Sequence, residues 1–142
     1  MLTEEIKKKI IKLSKVNNYI IHKVEANQNF KHQSKCGDQI LFQIIEANNG
    51  KFNLKHYASG CIILLASANA LNKLCNNKPK SEILSLLQKV INGNFANLEE
   101  IDTSLKIFNI FTNTNRKDCF LLPYKSLKDS LVNYKPLRRT IR

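Results

Sequence analysis

Two strand-like segments separated by an Asn-Gly turn constrain the fold of this chain more than any other feature. Residues 39–46, QILFQIIE, are rich in β-branched and aromatic side chains, and residues 51–58, KFNLKHYA, follow the turn at Asn49-Gly50. Asn-Gly favours the tight turns that join antiparallel strands, because both residues tolerate a positive φ. The two segments therefore predict a β-hairpin.

The rest of the chain carries mainly helix signals. A first helix is predicted after Thr3, whose hydroxyl can cap it, and the polar, Asn-rich residues 16–35 are interpreted as extended or loop. Four further helices are predicted: residues 61–75, a helix that starts at Lys78-Pro79 and ends at Gly93, a short helix within 97–108, and a last helix over 123–134 with Pro123 in its first turn. Because strands come before most helices and no repeat or linker divides the chain, we expect a single α+β domain over residues 1–142, in which a small antiparallel sheet packs against several helices.

The charge is strongly basic. The 142 residues include 23 Lys and Arg against 11 Asp and Glu, which gives a formal net charge of +12. The basic residues are spread along the chain, with small concentrations at 7–9 and 135–142, and no basic strand interleaved with aromatic residues is present. This distribution favours a solvated surface or docking to an acidic protein partner, and no specific nucleic-acid partner is expected.

The sequence also bears on the compartment. No apolar stretch approaches membrane-spanning length, and the first residues, MLTEEIKKKI, lack the apolar core of a secretory signal. We therefore expect a cytoplasmic protein with no membrane partner. Structural disulfides are not expected there, so clustered cysteines would serve metal binding or thiol chemistry.

Three of the four cysteines stand at predicted element ends. Cys36 precedes the first hairpin strand, Cys61 follows the second and opens a helix, and Cys119 precedes the last helix, whereas Cys75 lies inside a helix and is interpreted as a core residue. The spacings are long and match no zinc-finger pattern. Packing and metal or thiol chemistry both remain open on the cysteines alone.

The three histidines are not expected to be ligands. His56 lies in the predicted second strand and is interpreted as a packed residue. His22 and His32 fall in the irregular segment and are interpreted as solvated.

The residues around the cysteines carry a more specific signal. In order they are CGD at 36–38, GC at 60–61 followed by the helix segment ASANAL, and RKDCFLLPYKSL at 116–127. These motifs resemble the NifU N-terminal domain family, which includes IscU and SufU, over roughly residues 36–131. Asn77-Lys78 stands where the family has a Gly-Lys break, and the family's Asp-His-Tyr and Asn-Pro motifs are not seen in the first 35 residues. The long gap before the third cysteine and Arg116 resemble SufU, and Asp118 replaces a histidine of IscU.

The resemblance implies a metal site formed by Cys36, Asp38, Cys61 and Cys119. Three thiolates and one carboxylate suit tetrahedral zinc, and iron or a [2Fe–2S] cluster is the alternative occupant. Asp118 is a rival to Asp38 as the oxygen ligand. Arg116 would either stabilise a thiolate or persulfide by its charge or pair with a surface acid.

The resemblance further implies a role in iron–sulfur cluster assembly. A SufU-like protein of this kind would accept sulfur from a cysteine desulfurase, with Cys36 as first acceptor, and would serve downstream iron–sulfur acceptor proteins. It would be a sulfurtransferase-type partner rather than a free-standing enzyme. The alternative is an IscU-like scaffold that carries a nascent [2Fe–2S] cluster.

Overall fold

The computed structural model describes residues 4–16, 32–33, 38–93, 98–111, 114 and 116–134. In chain order the elements are α1 (Glu4–Ser14), β1 (His32–Gln33), β2 (Gln39–Glu46), β3 (Lys51–Ser59), α2 (Ile62–Cys75), β4 (Lys78–Pro79), α3 (Lys80–Asn92), α4 (Leu98–Ile101), a 3₁₀ helix (Thr103–Phe111) and α5 (Lys117–Val132). Within these ranges no helix combines the length and the apolar character needed to cross a bilayer.

The strands form one antiparallel sheet in the order β1-β2-β3-β4. In the central pair the register runs from Gln39↔Ser59 to Glu46↔Phe52, and Gly50 takes a φ of +81° in the connecting turn. The predicted hairpin is confirmed, and its second strand extends one residue further, to Ser59.

One face of the sheet is covered by α2 and α5. Alternate residues of the central strands are buried on that face: Ile40, Phe42, Ile44, Phe52, Leu54 and His56. Helix α1 packs on α2, where the Asn69 amide donates to the carbonyl oxygens of Leu13 at 2.8 Å and Val16 at 3.0 Å. These bonds reach carbonyl groups at the end of α1 and just after it, where partners from the helix itself run out. A small antiparallel sheet packed against helices confirms the predicted α+β class.

The last helix begins earlier than the sequence predicted. The prediction placed its start at Pro123, but α5 begins at Lys117, so Pro123 lies inside the helix and Cys119 lies in its first turn. The reason is tertiary burial, since Phe120 is completely buried and Leu121 nearly so. Packing of an apolar face stabilises a helical turn that local signals alone would not.

The connection between α2 and α3 also differs in detail. Lys78-Pro79 pairs with Lys51 and Phe52 as strand β4, and Pro79 is the N-cap of α3 rather than its first helical residue. Asn77, with a φ of +64°, takes the left-handed conformation in which asparagine is more common than most residues. Gly93 ends α3 as predicted.

Of the other predicted segments, one has a different structure from the prediction and one lies mostly outside the described residues. The single short helix predicted within 97–108 is replaced by α4 and a separate 3₁₀ helix that reaches Phe111. Thr3, the predicted cap of α1, and most of the predicted irregular segment lie outside the described residues.

His56 is a neutral residue of the core. Its imidazole is 1% exposed and lies 5.8 Å, centroid to centroid, from the ring of Phe42. The Asn72 amide nitrogen lies 3.0 Å from Nδ1, which assigns Nδ1 as acceptor and the proton to Nε2. Burial lowers the pKa of His56 from 6.5 to about 4, and Asn69 opposes this shift. The interpretation of His56 as a packed residue agrees with this environment.

We expect this histidine to make the fold sensitive to acid. The unfolded chain protonates His56 near its ordinary pKa, whereas the folded chain resists protonation down to pH about 4. The contribution of neutral His56 to the free energy of unfolding is therefore fully present above pH 6.5. It falls by about 3 kcal/mol as the pH falls to 4. Chemical denaturation of metal-free protein at pH 7 and pH 4 measures the loss. His56→Asn, which cannot take up the proton, should lose distinctly less over that interval; an equal loss in both proteins would contradict the assignment.

Candidate metal centre

Three predicted site residues converge from three separate elements. Asp38 directly precedes β2, Cys61 is the N-cap of α2, and Cys119 is the third residue of α5. One carboxylate oxygen and the two sulfur atoms all lie within 4.8 Å of one another. The hairpin explains this convergence, because the register places Gln39 opposite Ser59 and so brings the start of β2 beside the start of α2.

The two oxygens of the Asp38 carboxylate contact different groups of Cys61, its backbone N–H and its sulfur. Oδ1 accepts a hydrogen bond from the backbone N–H of Cys61 at 3.0 Å, so a residue 23 positions earlier caps the N-terminus of α2. Oδ2 lies 3.6 Å from Cys61 Sγ, which donates to it while the thiol is protonated. Asp38 is only 2% exposed. Charged groups inside proteins are usually paired or coordinate a metal, so a buried carboxylate at this position suits the binding of a cation.

Gly60 is needed for this close approach. Its φ is +155°, and a Cβ at this position would overlap the Asp38 carboxylate. Glycine is the residue that adopts such a backbone without strain and leaves the space empty. The glycine before Cys61 thus lets the chain enter α2 against Asp38.

The two cysteines differ in exposure. Cys119 is 1% exposed and Cys61 is partly exposed. Burial, followed by hydrogen bonds with Asp38 and Cys61, raises the pKa of Cys119 well above its ordinary value, so metal-free Cys119 is a thiol at neutral pH. Both cysteines sit at helix N-termini, where the helix dipole favours negative charge. A bound cation would add to that effect, and its binding would release the thiol proton.

The distances suit a tetrahedral ion. Zinc–sulfur bonds of about 2.3 Å and zinc–oxygen bonds of about 2.0 Å place neighbouring ligand atoms roughly 3.5–3.8 Å apart. The Asp38–Cys61 distance of 3.6 Å already falls in this range. The widest separation in the set, up to 4.8 Å, requires a contraction of about 1 Å. The donor set therefore fits a metal such as zinc, with a fourth ligand still to be supplied.

The remaining predicted site residues either are not members of this cluster or lie outside the described residues. Cys36 and Gly37 belong to the latter group, as do His22 and the side chain of His32. Arg116 is the N-cap of α5 and is exposed. Asp118 is exposed, and among the described residues it is Asp38, not Asp118, that joins the two cysteines. Cys75 is a core residue as predicted, and burial raises the pKa of its thiol to about 12, with Lys78 opposing the shift.

Sequence reasoning missed one residue that shapes this centre, Gly60, and one that bonds to the turn carrying Cys119, Ser67. Gly60 was seen only as part of a motif, although a glycine directly before a helix-opening cysteine could have indicated a close backbone approach. Ser67 of α2, whose hydroxyl donates to the Phe120 carbonyl at 2.7 Å, gave no local signal because its partner lies 53 residues away.

One known protein is similar to this chain in sequence, and several solved structures are similar to it in fold. No protein-family model matches the chain. An uncharacterized protein of Borreliella burgdorferi strain B31 is 87% identical over 142 residues, which is the full length of both. The crystal structure of FiSufU from Fervidobacterium islandicum AW-1, described as a candidate iron–sulfur cluster assembly scaffold protein for the SUF system, has a TM-score of 0.71 and 25% identity, covering 92% of this chain and 96% of its own.

Two more distant structures share the fold. A nitrogen-fixing NifU-like protein (N-terminal) from Brucella abortus has a TM-score of 0.67 at 17% identity and covers 86% of this chain and 88% of its own. A hypothetical protein has a TM-score of 0.72 at 19% identity, covering 92% and 99% respectively. At these identities the likeness is one of architecture.

Proposed function

We propose that this chain, as a member of the NifU-like family of IscU- and SufU-type proteins, takes part in iron–sulfur cluster assembly as a zinc-containing sulfur acceptor for a cysteine desulfurase. The observation that carries the proposal is the cluster of Asp38, Cys61 and Cys119, with ligand atoms within 4.8 Å of one another. The likeness of this chain to FiSufU supports a role in iron–sulfur cluster assembly. Under this proposal the protein is cytoplasmic and acts with a desulfurase rather than alone.

The proposed metal is held by Cys36, Asp38, Cys61 and Cys119. The three described residues offer two sulfurs and one oxygen, and tetrahedral zinc takes four ligands. Cys36, two residues before Asp38 in the sequence, is proposed as the fourth. Zinc would keep the cysteines deprotonated and would tie the start of β2 to the starts of α2 and α5.

The proposed reaction is a thiol–persulfide exchange. The Cys36 thiolate attacks the terminal sulfur of a persulfide on the desulfurase, a sulfur–sulfur bond forms on Cys36, and the desulfurase cysteine leaves as a thiolate. No net oxidation or reduction occurs. The exposed cation of Arg116, three residues before Cys119, is proposed to stabilise the negative charge of the Cys36 thiolate or of the persulfide formed on it.

Cys36 is proposed as the acceptor because the other two cysteines are held in place. Cys61 is fixed at the start of α2 by the bond from its N–H to Asp38, and Cys119 is buried in the first turn of α5. Cys36 precedes Gly37, whose backbone has wide conformational freedom. An acceptor must be able to reach the partner's persulfide, and this requirement favours Cys36.

Locating the transferred sulfur tests the proposal. The protein and Cys→Ser variants at each cysteine are incubated with the cognate desulfurase and cysteine, and persulfidated peptides are identified by mass spectrometry. We expect persulfide on Cys36 and its loss in Cys36→Ser, while Cys75→Ser, which alters a buried cysteine outside the centre, behaves like the unmodified protein. Persulfide on Cys119 with Cys36 unmodified would overturn the assignment.

A second candidate function is a scaffold that carries a nascent [2Fe–2S] cluster as cargo for downstream iron–sulfur acceptor proteins. The description of FiSufU as a candidate scaffold favours it. Iron–sulfur clusters are usually held by four cysteines, so a set with one carboxylate would hold a cluster weakly. Persulfide on Cys119, together with bound iron and sulfide, would favour this second function.

A further inference from the structure

One buried hydrogen bond joins the two helices that carry the cysteines of the centre. The Ser67 hydroxyl of α2 donates to the carbonyl oxygen of Phe120 in α5 at 2.7 Å, and both residues are fully buried. Phe120 directly follows Cys119, and Ser67 lies six residues after Cys61 on the same helix. The bond therefore links the backbone beside one ligand to the helix that begins at the other.

The first turn of α5 needs such a link because of Pro123. Proline has no N–H, so it cannot donate to the carbonyl oxygen of Cys119 four residues earlier, as a helical residue normally would. The turn that carries Cys119 is therefore missing one of the bonds that normally join it to the rest of its helix. Ser67 supplies a bond to the same turn from the neighbouring helix.

The position of Cys119 relative to Cys61 decides whether both can reach one ion. The ligand atoms already require a contraction of about 1 Å to reach tetrahedral zinc distances, so a small drift of α5 away from α2 would lengthen a metal–sulfur bond. We propose that Ser67 is a positioning residue that sets the separation of Cys61 and Cys119 by fixing the first turn of α5 to α2. The inference rests on the proposed metal centre.

Two other serines provide the comparison that separates positioning from packing. Ser126 and Ser130 of α5 are as fully buried as Ser67, yet within the described part of the chain their hydroxyls have no hydrogen-bond partner. Removing either oxygen changes the core by the same atom without changing the link between the helices. If Ser67 only filled space in the core, Ser67→Ala would resemble Ser126→Ala in its metal affinity and in the spectrum of its bound metal.

The experiment uses the full chain loaded with Co²⁺, whose absorption reports thiolate ligation and coordination geometry. Affinity is measured by competition with a chelator in the unmodified protein, Ser67→Ala, Ser126→Ala and Ser67→Thr, and thermal unfolding of the metal-free proteins is recorded alongside. We expect Ser67→Ala to bind Co²⁺ about tenfold or more weakly, with altered d–d bands, because changes to the groups that orient ligands have effects of this size. Ser126→Ala should keep both the affinity and the spectrum, and Ser67→Thr, which retains the hydroxyl, should recover most of the affinity.

The outcomes separate this inference from the proposed function. Equal affinities and identical spectra in Ser67→Ala and the unmodified protein would overturn the positioning role while leaving the metal centre intact. If Ser67→Ala does not fold, Ser67→Thr and Ser126→Ala decide. Both should then match the unmodified protein in Co²⁺ affinity and spectrum. A Ser67→Thr protein that keeps its hydroxyl bond but differs from the unmodified protein in its spectrum would contradict the inference. Absence of Co²⁺ binding in the unmodified protein would contradict the proposed metal centre itself.

Discussion

Asp38→Ala is expected to lower zinc affinity more than about a hundredfold, since loss of a direct ligand exceeds the 10- to 100-fold effects of altering groups around a metal. Asp118→Ala, which removes an exposed carboxylate from the same first turn of α5 as Cys119, should change affinity little. Competition with a zinc-binding dye measures both. The two aspartates are a matched pair because each was a candidate for the oxygen ligand on sequence grounds.

A further substitution separates ligation from capping at Asp38. Asp38→Asn keeps an oxygen that can accept the Cys61 N–H and so preserves the cap on α2, but it loses the charge. We expect Asp38→Asn to retain the stability of the metal-free protein and still bind zinc much more weakly. If Asp118→Ala loses the metal and Asp38→Ala retains it, the ligand assignment is wrong.

Gly60→Ala is expected to destabilise the fold and disable the metal centre together. The alanine would have to hold a φ of +155°, and its Cβ would overlap the Asp38 carboxylate. Backbone strain of this kind costs about 1–3 kcal/mol, and displacing Asp38 from the Cys61 N–H adds roughly 1 kcal/mol. Thermal and chemical unfolding, with zinc affinity measured on the same preparation, test both effects.

Gly50→Ala is the control for that substitution. Gly50 also has a positive φ, of +81°, but a Cβ there would meet nothing within 4 Å. It should therefore show a modest loss of stability from backbone strain alone and an unchanged affinity for zinc. Equal zinc affinities in Gly60→Ala and Gly50→Ala would contradict the role assigned to Gly60.

Features with local signals could be predicted from the sequence. The hairpin was predictable because Asn49-Gly50 and the alternating apolar residues act over a few positions, and β2 has the predicted bounds. The same holds for α2, which begins one residue after the predicted start. The start of α5 was not predictable in this way, because Pro123 suggested a helix start whereas burial of Phe120 extends the helix by six residues.

The candidate centre was predictable in its membership and not in its geometry. Asp38, Cys61 and Cys119 could be selected through the family motifs, and the structure brings these three together. The double use of the Asp38 carboxylate and the link from Ser67 to Phe120 depend on contacts between residues 23 and 53 positions apart. No periodicity or propensity encodes such contacts, so they follow only from the assembled fold.

Anaerobic analysis of metal and acid-labile sulfide is the most direct test of the zinc centre on which the proposed function depends. The full chain is purified without added metal, and zinc, iron and sulfide are measured per protein. We expect about one zinc per chain with negligible iron and sulfide. Iron and sulfide in place of zinc would contradict this expectation in favour of the scaffold function, and a chain that carries no metal and binds none on titration with zinc would contradict the centre altogether.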